Sequence, residues 1–256
     1  MNILFTICAR AGSKGVKNKN IRSFLGIPLV YYTLAAYQLY VEKYKNKYKQ
    51  IDIAVNTDSL ALINQINKTN IEYLYIKRKD ELSGDTISKP DVIKDTVWQT
   101  ENIKNIKYDI IVDLDLTSPI RAVGDIYKII ESIVADPNID VTFSMAHARR
   151  TPFFNQVCQK ESGFYNTVIQ SQYVTRQEAP ICYDMNASIY GYKRNFILAK
   201  ETKRVFDGRA MGVLVKDTAV LDIDGEEDME LMEVLASYFF NTHTAYGEIN
   251  FRASNL

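Results

Sequence analysis

Ile7-Cys8-Ala9-Arg10-Ala11-Gly12-Ser13-Lys14-Gly15 decides how this chain is read. An apolar, β-prone run precedes it, so Asn2 to Cys8 reads as a buried strand that the glycines then break. The turn that follows combines two glycines, a hydroxyl and two cations. Glycine lets backbone amides approach a ligand closely, and Arg10 and Lys14 bring positive charge to phosphate oxygens. Open α/β sheets hold nucleotides at such loops, just beyond the carboxyl end of a strand. The spacing matches neither the GxGxxG of dinucleotide folds nor the GxxxxGK[ST] of P-loops. Standing alone, the segment reads as a basic surface turn, so its neighbours have to decide the matter.

Working outward, Pro28 opens an amphipathic helix to about Tyr48, with Leu29, Tyr32, Ala36 and Tyr40 at helical spacing. Ile51 to Asn56 is a second strand, and Thr57 or Asp58 is placed to cap a helix over Leu60 to Asn67. A third strand at Ile71 to Ile76 leads through a polar loop, Lys77 to Lys89, into a helix from about Pro90 to Thr100. Asp109 to Leu114 and Asp140 to Met145 are further strands, separated by a helix from Gly124 to Val134. This alternation calls for a doubly wound, mostly parallel sheet. The rhythm breaks between about Ala146 and Pro180, where short segments at Asn155 to Gln159 and Tyr165 to Gln170 read as an inserted hairpin. Strand-like stretches return at Met185 to Tyr192, Gly212 to Lys216 and Val220 to Ile223, before a last helix from Glu226 to Phe240. With no repeat, linker or low-complexity tract, residues 1–256 read as a single domain carrying an insertion at about 146–180.

Composition narrows the partners. The chain carries 31 Lys plus Arg against 31 Asp plus Glu, so no global field draws it onto nucleic acid or membrane, and any attraction for an anion is local. Cys8, Cys158 and Cys182 lie far apart without metal-ligand spacing. No charged-then-apolar leader precedes Ile3, and no apolar run approaches the ~20 residues of a membrane helix, so a cytoplasmic protein is expected.

Four further clusters fall where loops should follow strands. Lys77-Arg78-Lys79 with Leu82-Ser83-Gly84-Asp85 suits a polyphosphate, although a charge run is usually a solvated face. Asp113 and Asp115 stand in and just after a very apolar strand, where a carboxylate has to be paired or metal-bound. A plain reading of Asp115 is that it accepts hydrogen bonds from the Thr117-Ser118 turn. Arg176 and Gln177, with Asn186 to Tyr190 shortly after, offer forks and amides for carboxylates and hydroxyls, unless Arg176 merely pairs with Glu178. Finally, Asp222 and Asp224 alternate along an extended stretch, so both carboxylates project to one side and suit Mg²⁺ completed by phosphate oxygens and water. Asp113 and Asp115 have the same spacing and are the rival metal pair. The two histidines, His147 and His243, lie far apart, which disfavours a histidine-centred site. Together the loops describe nucleotidyl transfer to a sugar.

In this order the motifs resemble the acylneuraminate cytidylyltransferases, also called CMP-sialic acid synthetases, and relatives acting on other nine-carbon keto-sugar acids. The resemblance runs through Arg10 to Gly15 with Lys19-Asn20, Arg78 with Leu82 to Asp85, Leu116 to Arg121, Arg176 to Pro180, Asn186 to Tyr190 and Asp222-Ile223-Asp224. It implies a Rossmann-like nucleotidyltransferase fold, a homodimer formed through the inserted segment, and synthesis of CMP-sugar and pyrophosphate from CTP with Mg²⁺. By position it places Arg10, Ser13 and Lys14 on the triphosphate, with Arg10 and Lys14 supporting catalysis, and Asn20, Arg78 and Ser83 on the rest of the nucleotide. It places Asp222 and Asp224 on the metal, leaving Asp113 structural. Asp115, Thr117 and Ser118 border the sugar, and Arg176 and Gln177 reach its carboxylate or hydroxyl groups, in part from the partner subunit.

The departures sharpen this. Sialic acid enzymes of the family usually carry Gln-Pro before Thr-Ser-Pro, whereas this chain has Asp115-Leu116. Gln donates and accepts hydrogen bonds; ionised Asp only accepts, and adds a charge beside an anionic sugar. Asp-hydrophobe-Thr-Ser-Pro resembles the branch acting on legionaminic-type diamino sugars. The rival readings are a cytidylyltransferase for the eight-carbon acid of lipopolysaccharide, a glycosyltransferase, and a non-catalytic nucleotide-binding protein of the same fold.

Overall fold

A computed structural model describes the chain except residues 13–15, 17, 85 and 217–221. The opening strand β1 (Asn2–Cys8) feeds the loop and then a small ribbon of β2 (Ser23–Phe24) and β3 (Ile27–Pro28). Pro28 precedes α1 (Leu29–Tyr44), which ends earlier than the sequence pattern implied, in a 3₁₀ turn over Lys45–Lys47. Next come β4 (Gln50–Thr57), α2 (Leu60–Ile66), β5 (Leu74–Lys77), α3 (Lys89–Lys104), β6 (Ile110–Leu114), α4 (Val123–Ala135) and β7 (Val141–His147). The inserted stretch holds the hairpin of β8 (Val157–Gln159) and β9 (Tyr165–Thr167). β10 (Tyr183–Lys193), α5 (Arg194–Leu198) and β11 (Ala210–Leu214) follow, then α6 (Glu226–Thr242) and α7 (Thr244–Ala253).

Among the described residues seven strands form one sheet in the order β11-β7-β10-β6-β1-β4-β5. β1 pairs in parallel with β4 on one side and β6 on the other, and β5 extends β4 in parallel. β10 runs antiparallel to both β6 and β7, because the insertion supplies no helical crossover between β7 and β10. The period-two alternation in β1 sends Ile3, Phe5 and Ile7 into the layer under α1, α4, α6 and α7, and Leu4 into the layer under α3 and α5. Gly191 lets α4 approach β10: a Cβ there would lie 2.7 Å from both Ile129 Cγ2 and Thr142 Oγ1. No helix among the described residues is long and apolar enough to cross a membrane.

Two sequence expectations need correction. Val220 and Leu221 lie outside the described residues, and Asp222 and Ile223 belong to no strand; instead the Ile223 amide donates to the Thr117 carbonyl at 3.2 Å, pinning a loop across the end of the sheet. The chain also ends in α7, which was not anticipated. Tyr246, Ile249 and Ala253 bury one face of that helix, and Arg252 reaches Gln38 of α1 at 2.8 Å.

Candidate active site

β1 is the switch point of the sheet, with α1 leading to β4 on one side while β6 lies on the other. A crevice opens at such a point beyond the carboxyl ends of the strands. Here it is a cleft of about 490 Å³, bordered by Arg10, Lys19 and Asn20 from the loop after β1 and Asp115 and Thr117 from the loop after β6. Asp222 and Asp224, ahead of α6, border it too.

Short-range polar contacts shape the loop after β1. Gly12 adopts φ +75°, the left-handed region that favours glycine. The Ala11 amide donates to Asp58 Oδ1 at 2.6 Å, and Asn20 Nδ2 donates to the Arg10 carbonyl at 2.9 Å. Asp58 is therefore committed to the loop, and Ser59 caps α2 by accepting from the Leu62 amide at 3.2 Å. Arg10 Nη1 donates to the Ser83 carbonyl at 3.3 Å, so the first two cation-bearing loops meet. Ser13 and Lys14 lie outside the described residues.

The end of β6 holds the first aspartate pair. Asp113 is fully buried and accepts from the Thr6 hydroxyl at 2.7 Å. Lys89 Nζ lies 2.8 Å from Asp113 Oδ2 and 2.7 Å from Asp115 Oδ2. Asp115 Oδ1 accepts from both the amide and the hydroxyl of Thr117, at 3.0 and 2.9 Å. Burial works against the charge on Asp115, but Lys89 and the Thr117 donors prevail and hold its carboxyl well below the ordinary range. Burial also opposes the charge on Lys89, and the two carboxylates overcome it, raising the ammonium well above its usual value. Behind them Arg121, 2% exposed, donates to the Asp115 and Ser118 carbonyls. Burial is the main reason its pKa falls to about 10, against the pull of Asp115, Asp113 and Asp222.

The second pair is open. Asp224 is 82% exposed, and its nearest described cation is Lys19, whose Nζ lies 3.2 Å from Asp224 Oδ1 and donates to the Ile223 carbonyl at 2.6 Å. Asp222 accepts from the Ser118 hydroxyl. Burial, then repulsion from Asp115 and Asp224, raises its pKa against that hydrogen bond. Asp228 in the first turn of α6 accepts from the amides of Asp224 and Gly225 at 3.0 and 2.7 Å, fixing the backbone that carries the pair. Among the described residues no group of three or more His, Cys, Asp or Glu side chains is placed to hold a metal ion. A cation held here would take two carboxylates from the protein and its remaining oxygens from phosphate and water, which suits Mg²⁺. The rival pair does not fit one, because an ammonium already stands between Asp113 and Asp115.

The structure thus brings Arg10, Asn20, Asp115, Thr117, Asp222 and Asp224 to one cleft. Ser118 is 1% exposed with its hydroxyl turned to Asp222, which places it behind the second pair rather than facing a sugar. Arg78 is buried and donates to the Asn56 side-chain and main-chain oxygens at 3.0 and 3.3 Å; Ser83 joins the site through its carbonyl. Arg176 and Gln177 border a separate cavity of about 220 Å³, with His147 and Arg150, in the inserted segment. Arg176 donates to the Ala148 carbonyl there at 3.0 Å, while Glu178 accepts from the Val174 and Thr175 amides. Asn186 turns inward, accepting from Ser144 at 2.5 Å, and is structural. Lys89 was missed as a site residue, having been read only as the end of a polar loop. Its signal was a cation in the first turn of a helix, where the dipole disfavours positive charge.

A loop bringing Arg10 and Lys19 to a cleft opposite a carboxylate pair, at the switch point of this sheet, suits nucleotidyl transfer. The profile of the cytidylyltransferase family matches residues 4–238, and the chain belongs to that family. It is 38% identical over 239 residues to the CMP-N,N'-diacetyllegionaminic acid synthase of Campylobacter jejuni, covering 92% of this chain and 95% of that protein. It is 35% identical over 237 residues to the post-translational flagellin modification protein B of Campylobacter coli, covering 91% and 94%. The solved structure of CMP:2-keto-3-deoxy-manno-octonic acid synthetase in complex with CTP shares the fold, with a TM-score of 0.64, 15% identity, and coverage of 93% of this chain and 99% of that one.

Proposed function

We propose that this cytidylyltransferase activates a nine-carbon keto-sugar acid of the legionaminic type with CTP and Mg²⁺, giving the CMP-sugar and pyrophosphate. The observation that carries the reading is the cleft itself, where the Arg10 loop, the open Asp222/Asp224 pair and Asp115 face a common space. The full-length likeness to a legionaminic acid synthase supports the sugar class. In this reading Arg10 and Lys14 neutralise the triphosphate, Asn20, Arg78 and Ser83 shape the nucleotide side, and Asp222 and Asp224 hold Mg²⁺. The metal supplies charge neutralisation on the phosphate oxygens. The chain's part is positioning: it presents the α-phosphorus in line with the anomeric hydroxyl and stabilises the charge leaving on pyrophosphate.

Asp115 and Thr117 border the sugar. Arg176 and Gln177 serve it across a homodimer, each from the partner's inserted segment. Exposed apolar side chains in and beside that segment support this, with Phe164 78%, Val174 80% and Ile181 77% exposed. The enzyme works in the cytoplasm on soluble substrates, apart from nucleic acid and membrane.

The test is incubation with CTP, Mg²⁺ and a panel of keto-sugar acids, with mass spectrometry of the products. The panel includes a legionaminic-type diacetamido acid, N-acetylneuraminic acid and the eight-carbon acid. The expected product is the CMP-conjugate of the first in greatest yield. Greatest yield from the eight-carbon acid would favour the rival, and no conjugate with any sugar would remove the reading.

A further inference from the structure

We propose that Lys89 is the positioning residue for sugar recognition: it stands behind Asp115, cancels its charge, and leaves Asp115 one hydrogen-bond acceptor for the substrate. The proposal rests on the sugar-activating reading above and deepens it.

The first observation is a local rule broken at the site. Lys89 opens α3, whose amino terminus is capped by Ser88 accepting from the Asp91 amide at 3.2 Å. A cation in that first turn meets the positive end of the helix dipole and is disfavoured there. Two carboxylates at 2.8 and 2.7 Å, and the Tyr190 ring 5.4 Å below its ammonium, offset this. Such local conflicts are expected at functional positions.

The second observation is charge. Lys89 is the cation that touches the Asp115 carboxylate among the contacts described, whereas the buried Arg121 meets the main-chain carbonyls of Asp115 and Ser118 instead. Lys89 therefore screens the charge that Asp115 turns toward an anionic sugar acid, and its removal uncovers that charge even where Asp113 is made neutral. This revises the expectation that Asp115 acts as a bare charge. Without Lys89, a net negative charge would face the substrate.

The third observation is the acceptor count. Each carboxylate oxygen accepts about two hydrogen bonds. Thr117 fills Oδ1 with two donors, and Lys89 takes one position on Oδ2. One acceptor position remains, on a residue that borders the cleft. The complementary substrate group is a single N–H or O–H donor close to an anion, such as an acylamino or hydroxyl group of the sugar acid.

The experiment compares wild type, Lys89→Met, Lys89→Arg, Lys89→Met/Asp113→Asn and Lys89→Met/Asp115→Asn. It measures KM for the sugar acid, KM for CTP, kcat and melting temperature. Lys89→Met alone strands two carboxylates at a cost to stability, so the Asp113→Asn background, which keeps the acceptor for Thr6, carries the test. In it the sugar KM is expected to rise about tenfold or more, the size of one unscreened charge near a surface, with the CTP KM within about twofold. Asp115→Asn in place of Asp113→Asn removes the charge but turns an amide N–H toward the substrate donor, so the sugar KM should stay raised there, whereas Lys89→Arg should keep it near the wild-type value. A folded Lys89→Met/Asp113→Asn with wild-type sugar KM, or with both KM values rising together, overturns the proposal. Absence of wild-type turnover with every keto-sugar acid overturns the functional reading along with it, so the two failures are told apart.

Discussion

Two aspartate pairs with identical spacing meet at this cleft, and the fold gives them opposite surroundings. Asp113 and Asp115, at the end of β6, are clamped by Lys89, backed by Arg121 and tied to Thr6 and Thr117. Asp222 and Asp224, ahead of α6, border open space, with Asp224 82% exposed beside Lys19 and Asp222 held by the Ser118 hydroxyl and the Ala187 backbone. The first pair is a neutralised wall. In the second, burial, then repulsion from Asp115 and from Asp224, raises the Asp222 pKa. The difference shows that an Asp-x-Asp spacing defines a reach, while the cations supplied by the rest of the fold define the role.

The largest effects are expected at the second pair. Asp222→Asn and Asp224→Asn should each lower kcat/KM by about 10²–10³-fold, the scale for losing a group that stabilises transition-state charge, and should raise the Mg²⁺ concentration needed for half-activity. Steady-state pyrophosphate release across a Mg²⁺ series checks both. Arg10→Ala should slow turnover by roughly 10²-fold while changing stability by less than about 0.5 kcal/mol, since the side chain lies in a loop; paired kinetics and urea melts separate these effects.

At the first pair the expected loss is stability. Asp113→Asn should cost about 2 kcal/mol, the scale for hydrogen bonds to charged groups, and leave the Mg²⁺ curve in place. Equal metal responses at Asp113 and Asp224 would erase the contrast. Asp115→Gln should shift the preference between a diacetamido sugar and N-acetylneuraminic acid by roughly tenfold, measured by competition between the two. An unchanged ratio would mean that Asp115 serves its own turn alone.

The smallest effect is with pH. Asp115 has a depressed folded pKa, so its stabilisation is present above the unfolded carboxylate value and lost as pH falls through the folded one. Lys89 has a raised one, so its stabilisation is present below the unfolded lysine value and lost as pH rises through the folded one. The difference in melting temperature between wild type and Asp115→Asn should therefore stay level from about pH 5 to about pH 9. A slope inside that window would show that the pair is not fully ionised.

Much of this was legible in the sequence because it is local. β1 runs from Asn2 to Cys8 as its apolar pattern implied, and the alternation of strands and helices specified a doubly wound sheet with a hairpin interrupting it. The plain reading of Asp115, accepting from its own turn, also holds, although it does not exclude a place on the cleft. What was not legible depends on distant partners. Lys89 gains its meaning from carboxylates 24 and 26 positions away, and Ser118 turns from the cleft to Asp222 across 104 positions. The α7 pattern of Tyr246, Ile249 and Ala253 was readable at helical spacing and was overlooked. Arg176 and Gln177 carry recognisable chemistry, but the insertion places them at a cavity of their own.

The division of roles at the cleft turns on which aspartate pair holds the metal. The most direct measurement is Mn²⁺ binding followed by electron paramagnetic resonance, with a non-hydrolysable CTP analogue present, for wild type, Asp113→Asn and Asp224→Asn. Asp113→Asn is expected to bind Mn²⁺ as wild type does, and Asp224→Asn to lose most of the bound signal. Loss in Asp113→Asn with retention in Asp224→Asn would contradict that division and move the metal to the end of β6.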